Sequence, residues 1–292
     1  MRIGTAPINW NNADLTDWRP VVPYERVLAE MREAGYEGTE YGAGFPEDPA
    51  KLRADLAAHG LALASTFCWV DLREERRHGA EIAKVMPAAS LLSAMGVGVL
   101  IVALQGTPQR MAMAGRVPAD GSAGLSEREW ASVADGLHRM AEALRPLNLR
   151  LVLHNHAGSF VETRAELDTL CRLTDPAKVG LCLDAGHLAY GGAEVLETFQ
   201  THRERLRYAH VKDVDTAALA RVRRDRLGWL DALRQYPFTE LGRGSLDLKG
   251  LFAYLKASEY GGWVIVEQDT TPRAALESAR LSRRYLREVC GV

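Results

Sequence analysis

Four short apolar runs in this chain end abruptly in side chains that can bind a metal ion or move a proton. They are Leu151-Val-Leu-His-Asn-His156, Leu181-Cys-Leu-Asp-Ala-Gly-His187, Tyr208-Ala-His-Val-Lys212 and Trp263-Val-Ile-Val-Glu-Gln-Asp269. Buried strands have little use for Asp, Glu and His, because taking an unpaired charge out of water is costly. A parallel barrel accounts for the recurrence. All of its strands end on one face, and active sites form there.

Asp184, His210 and Glu267 each close a different strand candidate. Two carboxylates and an imidazole make a mixed oxygen and nitrogen set, suited to Mn2+, Co2+ or Mg2+, with Zn2+ ranked behind them. Glu162, eight residues beyond His154, is the expected fourth ligand, because a third carboxylate better balances the charge of a divalent ion. His154, at the strand end itself, is the competing donor. Each residue alone has an ordinary explanation: a lone Asp caps a turn by accepting backbone N–H groups, and a lone His packs. The repetition at four strand ends carries the reading.

His156 and His187 follow their strands by two or three residues and are candidate acid–base groups, as is Glu267. Lys212 lies two positions beyond His210, on the same side of a continuing strand. Its ammonium would polarise a carbonyl or hold a hydroxyl, unless it pairs with Asp213 or Asp184. Candidate substrate contacts are Asn9 and Trp10 after the first strand, Glu40 at the end of the second, Trp69, His154, and Arg243 in a Gly-rich turn. Flat indole faces suit sugar rings, and core packing is their ordinary alternative.

These residues need elements to position them. Strand candidates fall at 2–8, 38–41, 61–67, 97–104, 149–154, 179–184, 206–211 and 263–267. Helical spacing at Val27, Leu28 and Met31 marks a helix over 24–34. Asp48-Pro49 starts another, with Asp as N-cap and Pro at the first position. Ser126-Glu-Arg-Glu129 has capping-box spacing and opens a helix to about 144. Further helices are expected to about 95, over 164–173, 193–202, within 216–236, over 246–255 and over 272–289. Residues 107–124 show no period and are expected to form a long loop of the kind that serves as a lid. Eight strands alternating with helices predict an α/β fold, a single (β/α)8 TIM barrel forming one domain over 1–292. An open doubly wound sheet is disfavoured, because no Gly-rich phosphate loop follows the first strand.

The 292 residues carry a formal charge of −2, 47% hydrophobic and 25% charged side chains. That balance gives no support for nucleic-acid binding, so no nucleic-acid partner is expected. No apolar run approaches the roughly 18 residues of a membrane span, and no secretory signal opens the chain. Four cysteines without a CxxC pair suit a reducing compartment, so a cytoplasmic location is expected.

The order Asp184-Ala-Gly-His, His210-Val-Lys-Asp, Gly242-x-Gly-x-x-Asp247 and Val266-Glu-Gln-Asp269 resembles the xylose isomerase-like barrel superfamily of sugar isomerases and epimerases. With Ile3-Gly-Thr-Ala-Pro-Ile-Asn-Trp10, Glu40-Tyr-Gly-Ala-Gly-Phe-Pro-Glu-Asp-Pro49, His154-Asn-His-Ala-Gly158 and Asp184-Ala-Gly-His-Leu-Ala-Tyr190, the sequence is similar to inosose (2-keto-myo-inositol) dehydratases within it. The resemblance implies a divalent metal held by an acid, acid, His, acid set, with His154 standing where the superfamily places its first Glu ligand. It also implies enediolate chemistry on a free sugar or cyclitol ketone, and association as a homo-dimer or homo-tetramer. A ketose 3-epimerase or aldose–ketose isomerase is the close alternative. A nuclease resembling AP endonucleases and a non-catalytic sugar-binding barrel are the remote ones.

Overall fold

The computed structural model describes residues 1–292. In chain order the elements are β1 (Arg2–Thr5), α1 (Tyr24–Ala34), β2 (Gly38–Tyr41), α2 (Pro49–Ala58), β3 (Ala62–Val70), α3 (His78–Ala94), β4 (Val99–Leu104), α4 (Pro108–Ala112), α5 (Glu127–Leu144) and β5 (Arg150–His154). There follow α6 (Arg164–Leu173), β6 (Val179–Asp184), α7 (Ala185–Tyr190), α8 (Val195–Thr201), β7 (Leu206–Val211), β8 (Asp213–Val214), α9 (Thr216–Arg224), α10 (Trp229–Leu233), β9 (Phe238–Thr239), α11 (Leu248–Ala257), β10 (Trp263–Val266) and α12 (Ala275–Glu288). Eight parallel strands close in the order β1-β10-β7-β6-β5-β4-β3-β2, the (β/α)8 barrel that the alternation predicts. No helix is long and apolar enough to cross a membrane.

The chain packs as two compact units, one of residues 1–64, 209–226 and 230–292, the other of residues 65–208 and 227–229. In the first, β1 pairs with β10 through Ile3 and Val264, and β10 with β7 through Ile265 and His210. This register sets the imidazole of His210 one step before the C-terminal end of its strand. In the second, β4 pairs with β5 through Ile101 and Val152, and β5 with β6 through His154 and Cys182. Leu100–Leu104 and Leu151–Leu153 are buried throughout, as strands covered on both faces must be.

The local signals act as their chemistry requires. Asp48 accepts N–H bonds from Ala50 and Lys51, with Pro49 at the first helical position. Ser126 and Glu129 cap each other's backbone at the start of α5, and Thr163 and Glu166 do the same for α6. Two expectations are corrected. The 107–124 stretch contains α4, started by Thr107, whose Oγ1 accepts the N–H of Arg110 at 3.2 Å. Thr-Pro is the same start signal as Asp48-Pro49, but five residues are too few to show a period. The 216–236 stretch holds two helices, and β8 pairs antiparallel with β9 across it.

Gly106 is demanded by close approach. A Cβ there would lie 1.9 Å from the carbonyl oxygen of Gly158, which itself has φ +76°. Gly106→Ala should therefore lower unfolding free energy by about 1–3 kcal/mol, the usual cost of forcing atoms into a filled space. Urea denaturation checks it, and an unchanged midpoint would mean that the turn at Gly158 gives way freely.

Candidate active site

The strand ends of the 1–64, 209–226 and 230–292 unit gather three carboxylates around an imidazole and an ammonium. Nε2 of His210 lies 2.8 Å from Oε1 of Glu40, and its Nδ1 lies 3.3 Å from Oε2 of Glu267. Nζ of Lys212 is 2.8 Å from the same Glu267 oxygen and 3.1 Å from Oδ2 of Asp269. His210, Lys212 and Asp269 are almost fully buried, so the group must neutralise itself. The ordinary pairing weighed for Lys212, with Asp213, does not form. The Asp213 carboxylate instead accepts N–H bonds from Val214, Gly242, Gly244 and Leu246.

That cradle also decides the fate of the Gly-rich turn. Its N–H groups are spent on the protein's own carboxylate, and Arg243 is exposed on it, with no contact to Glu40, His210, Lys212 or Glu267. Two other substrate candidates turn out to be structural. Trp10 is wholly buried and donates its indole N–H to Glu30 at 2.6 Å. Asn9 donates to Oγ1 of Thr5 and accepts the N–H of Gln268, which fixes the turn leading to Asp269. The asparagine and the tryptophan are spent on buried hydrogen bonds, which no local pattern announces. Glu40 joins the site as the partner of His210.

The 65–208 and 227–229 unit carries the histidines. Asn155 pins the end of β6 by accepting the N–H of Asp184 at 2.9 Å and donating to its carbonyl. Asp184 then caps α7, its Oδ1 accepting the N–H of His187 at 2.8 Å, while Oδ2 lies 3.5 Å from Nε2 of His154. The rings of His156 and His187 stack with centroids 3.9 Å apart. Their tautomers are fixed by one residue between them. Nδ1 of His156 donates to the carbonyl of Ala157 at 2.7 Å, and Nδ1 of His187 accepts the N–H of Ala157 at 3.2 Å. A neutral His156 therefore keeps Nε2 as its basic nitrogen, and a neutral His187 carries its proton on Nε2. The two rings present an acceptor and a donor side by side.

Trp69 and Trp229 meet the His156 ring at 4.8 Å and 5.2 Å, near perpendicular. Trp69 was a candidate. Trp229 was not, since a Trp in a charged stretch gives no periodic signal, and Asp269, although part of a polar strand-end run, was given no role of its own.

Glu162 stands elsewhere than expected. It is 1% exposed, and its two carboxylate oxygens accept the N–H groups of Gly115 at 2.7 Å and Gly158 at 2.5 Å. His154, Asp184, His210 and Glu267 are one of two groups of donors that could hold a metal ion, the other being His154, Cys182 and His210, and Glu162 is in neither.

The family model for xylose isomerase-like TIM barrels matches residues 28–289. The chain belongs to that family. Among relatives of this xylose isomerase-like barrel, an inosose dehydratase of Geobacillus kaustophilus is 38% identical over 288 residues, 98% of this chain and 93% of that one. Another inosose dehydratase, from Lacticaseibacillus casei, is 33% identical over 98% of this chain and 96% of its own. The same fold is found in a probable 3-DHS dehydratase from Bacillus anthracis, with a TM-score of 0.75, 15% identity and 98% of both chains covered. It recurs in an L-ribulose 3-epimerase, with a TM-score of 0.73, 16% identity and coverage of 99% and 94%.

Burial pushes the Glu162 carboxyl of this barrel up to about 7, against the opposing pull of its two backbone N–H bonds. The folded chain then binds a proton between about 4.5 and about 7 that the unfolded chain has released. Stability from this group is present below that window, falls as pH rises through it and levels off above, by roughly 3 kcal/mol in all. Urea titrations from pH 4.5 to 8 should show a shallower decline for Glu162→Gln than for the parent. Parallel curves would mean that Glu162 does not titrate there.

Proposed function

We propose that this enzyme is an inosose dehydratase, a divalent-metal-dependent lyase that removes water from 2-keto-myo-inositol. Full-length likeness to inosose dehydratases supports the substrate class. The observation that carries the mechanism is the His156–His187 pair, whose shared contact with Ala157 assigns opposite tautomers to neighbouring rings.

His154, Asp184, His210 and Glu267 would hold the ion, with His154 in place of the expected Glu162. Two imidazoles and two carboxylates suit Mn2+ or Co2+, with Mg2+ behind them because it prefers all-oxygen shells. Glu40 on Nε2 of His210 is the outer partner that a ligating imidazole usually has, and it leaves Nδ1 turned toward Glu267. When bound, a divalent ion supplies Lewis-acid stabilisation of the enediolate charge.

The remaining chemistry belongs to the chain. His156 Nε2 takes the proton from the carbon beside the ketone, the role of a positioned general base. The hydroxyl on the next carbon leaves as water, taking a proton from the Lys212 ammonium, while the Nε2–H of His187 offers it a hydrogen bond. One C–H and one C–O bond break, a C=C forms, and the resulting enol relaxes to the dione. Trp69 and Trp229 supply apolar faces to the ring of the substrate. Four free cysteines suit a reducing compartment, and a cytoplasmic location belongs to the same proposal.

Proton NMR of the Mn2+-reconstituted, then Mg2+-exchanged protein with 2-keto-myo-inositol in D2O tests the reaction. Loss of a ring C–H with growth of a dione is expected. Deuterium exchange without elimination would move the assignment to an epimerase or isomerase. Glu267→Gln should cut kcat about 100-fold or more, and weaken Mn2+ binding in an isothermal titration, with an unchanged circular dichroism spectrum. Full activity in that variant would remove Glu267 from the site.

A further inference from the structure

Trp229 reaches the histidines by an indirect route. It belongs to the tripeptide 227–229, the only stretch after Tyr208 that packs with the unit of residues 65–208. Its ring lies 5.2 Å from His156, 5.5 Å from His187 and 5.6 Å from Tyr190. The tripeptide is tied down by the α4 segment. Nη1 of Arg116 donates to the carbonyl of Leu227 at 2.8 Å, and Nη2 of the same guanidinium donates to the carbonyl of Ala112. A Cβ added at Gly228 would meet the backbone of Ala112 and Met111 at 3.4 and 3.5 Å. Gly115 closes the ring of contacts, since a Cβ there would be 2.7 Å from the Tyr190 ring that touches Trp229.

The α4 segment is in turn held by a buried carboxylate. The two oxygens of Glu162 each accept one N–H, from Gly115 at the end of that segment and from Gly158 in the turn that follows His156. One side chain therefore joins the support of Trp229 to the loop that bears His156. Arg110 adds a second tie, donating to the carbonyl of Ser159 and pairing with Glu166 at 3.0 Å. Two N–H groups need two acceptor oxygens, and an ionised carboxylate offers them. A glutamine at the same place offers one acceptor and turns an NH2 toward the other N–H.

We propose that Glu162 is a positioning residue that latches residues 107–116 to the His156 turn and, through Arg116, seats Trp229 against His156 and His187. It rests on the preceding reading only where it concerns catalysis, through the role given there to His156 and His187. The latch itself is a statement about backbone order. It assigns to Glu162 a task distinct from metal binding, and to 227–229 the part of a strap whose placement is set from a remote stretch of sequence.

Hydrogen–deuterium exchange by mass spectrometry on Glu162→Gln and Arg116→Met decides it, with Mn2+ titration alongside. Glu162→Gln should speed exchange at least several-fold in peptides covering 107–116, 156–160 and 227–230, and leave Mn2+ affinity within about 3-fold of the parent. Arg116→Met, which spares the carboxylate, should speed exchange at 227–230 alone. In a dehydration assay both variants should lose more in kcat than in KM. Unchanged exchange at 107–116 in Glu162→Gln would overturn the latch, and so would a large loss of Mn2+ affinity, which would make Glu162 a ligand. Unchanged exchange at 227–230 in Arg116→Met would overturn the link to Trp229. A parent chain that does not dehydrate inosose would sink the functional reading and leave the exchange result standing.

Discussion

A carboxylate taken out of water must find a cation or a set of N–H donors, and the interior of this protein is arranged around that demand. Glu267 and Asp269 are buried at the end of β10, and the Lys212 ammonium lies between them. Glu40 is buried at the end of β2 and meets the imidazole of His210. Asp213 and Glu162 solve the same problem with backbone N–H groups. Removing one cation from such a cluster strands its partners, a loss of about 3–5 kcal/mol where the charge stays buried. A core built of leucine and valine would be cheaper to fold. Charge held in place at strand ends is what the proposed chemistry requires, because groups fixed in advance need no reorganisation when charge develops.

The histidine loop shows the same economy in neutral groups. His156 and His187 are oriented by one residue, with the Ala157 carbonyl accepting a hydrogen bond from one ring and its N–H donating one to the other. A backbone contact of this kind distinguishes two chemically identical side chains by tautomer alone. The aromatic rings packed on them, Phe67, Trp69 and Trp229, carry no hydrogen-bond acceptor that would compete for the ring nitrogens. Relatives of this chain include proteins named as inosose dehydratases, and the same fold occurs in a protein named as an epimerase. The difference between those outcomes lies in where an acid stands after the first proton is taken, and paired tautomers are one way of placing it.

The sequence by itself determined the elements and the candidates. Period and punctuation located all eight barrel strands and most helices, because apolar runs bounded by Gly, Pro and caps carry their own boundaries. Polar residues at strand ends marked Asp184, His210, Lys212 and Glu267, since burial makes such residues conspicuous. What sequence left open was every question of partner. Trp10 and Asn9 follow a strand as a substrate contact would, yet each is spent on a hydrogen bond to a distant or internal group. Glu162 has the chemistry of a ligand, but the N–H groups of Gly115 and Gly158, 47 and 4 residues away, claim its oxygens. Trp229 carries no local signal, and Asp269 shows only as the end of a polar run. Side-chain type is a local property and legible in one dimension. Hydrogen-bond assignment depends on which atoms lie within about 3 Å, and only the folded chain decides that.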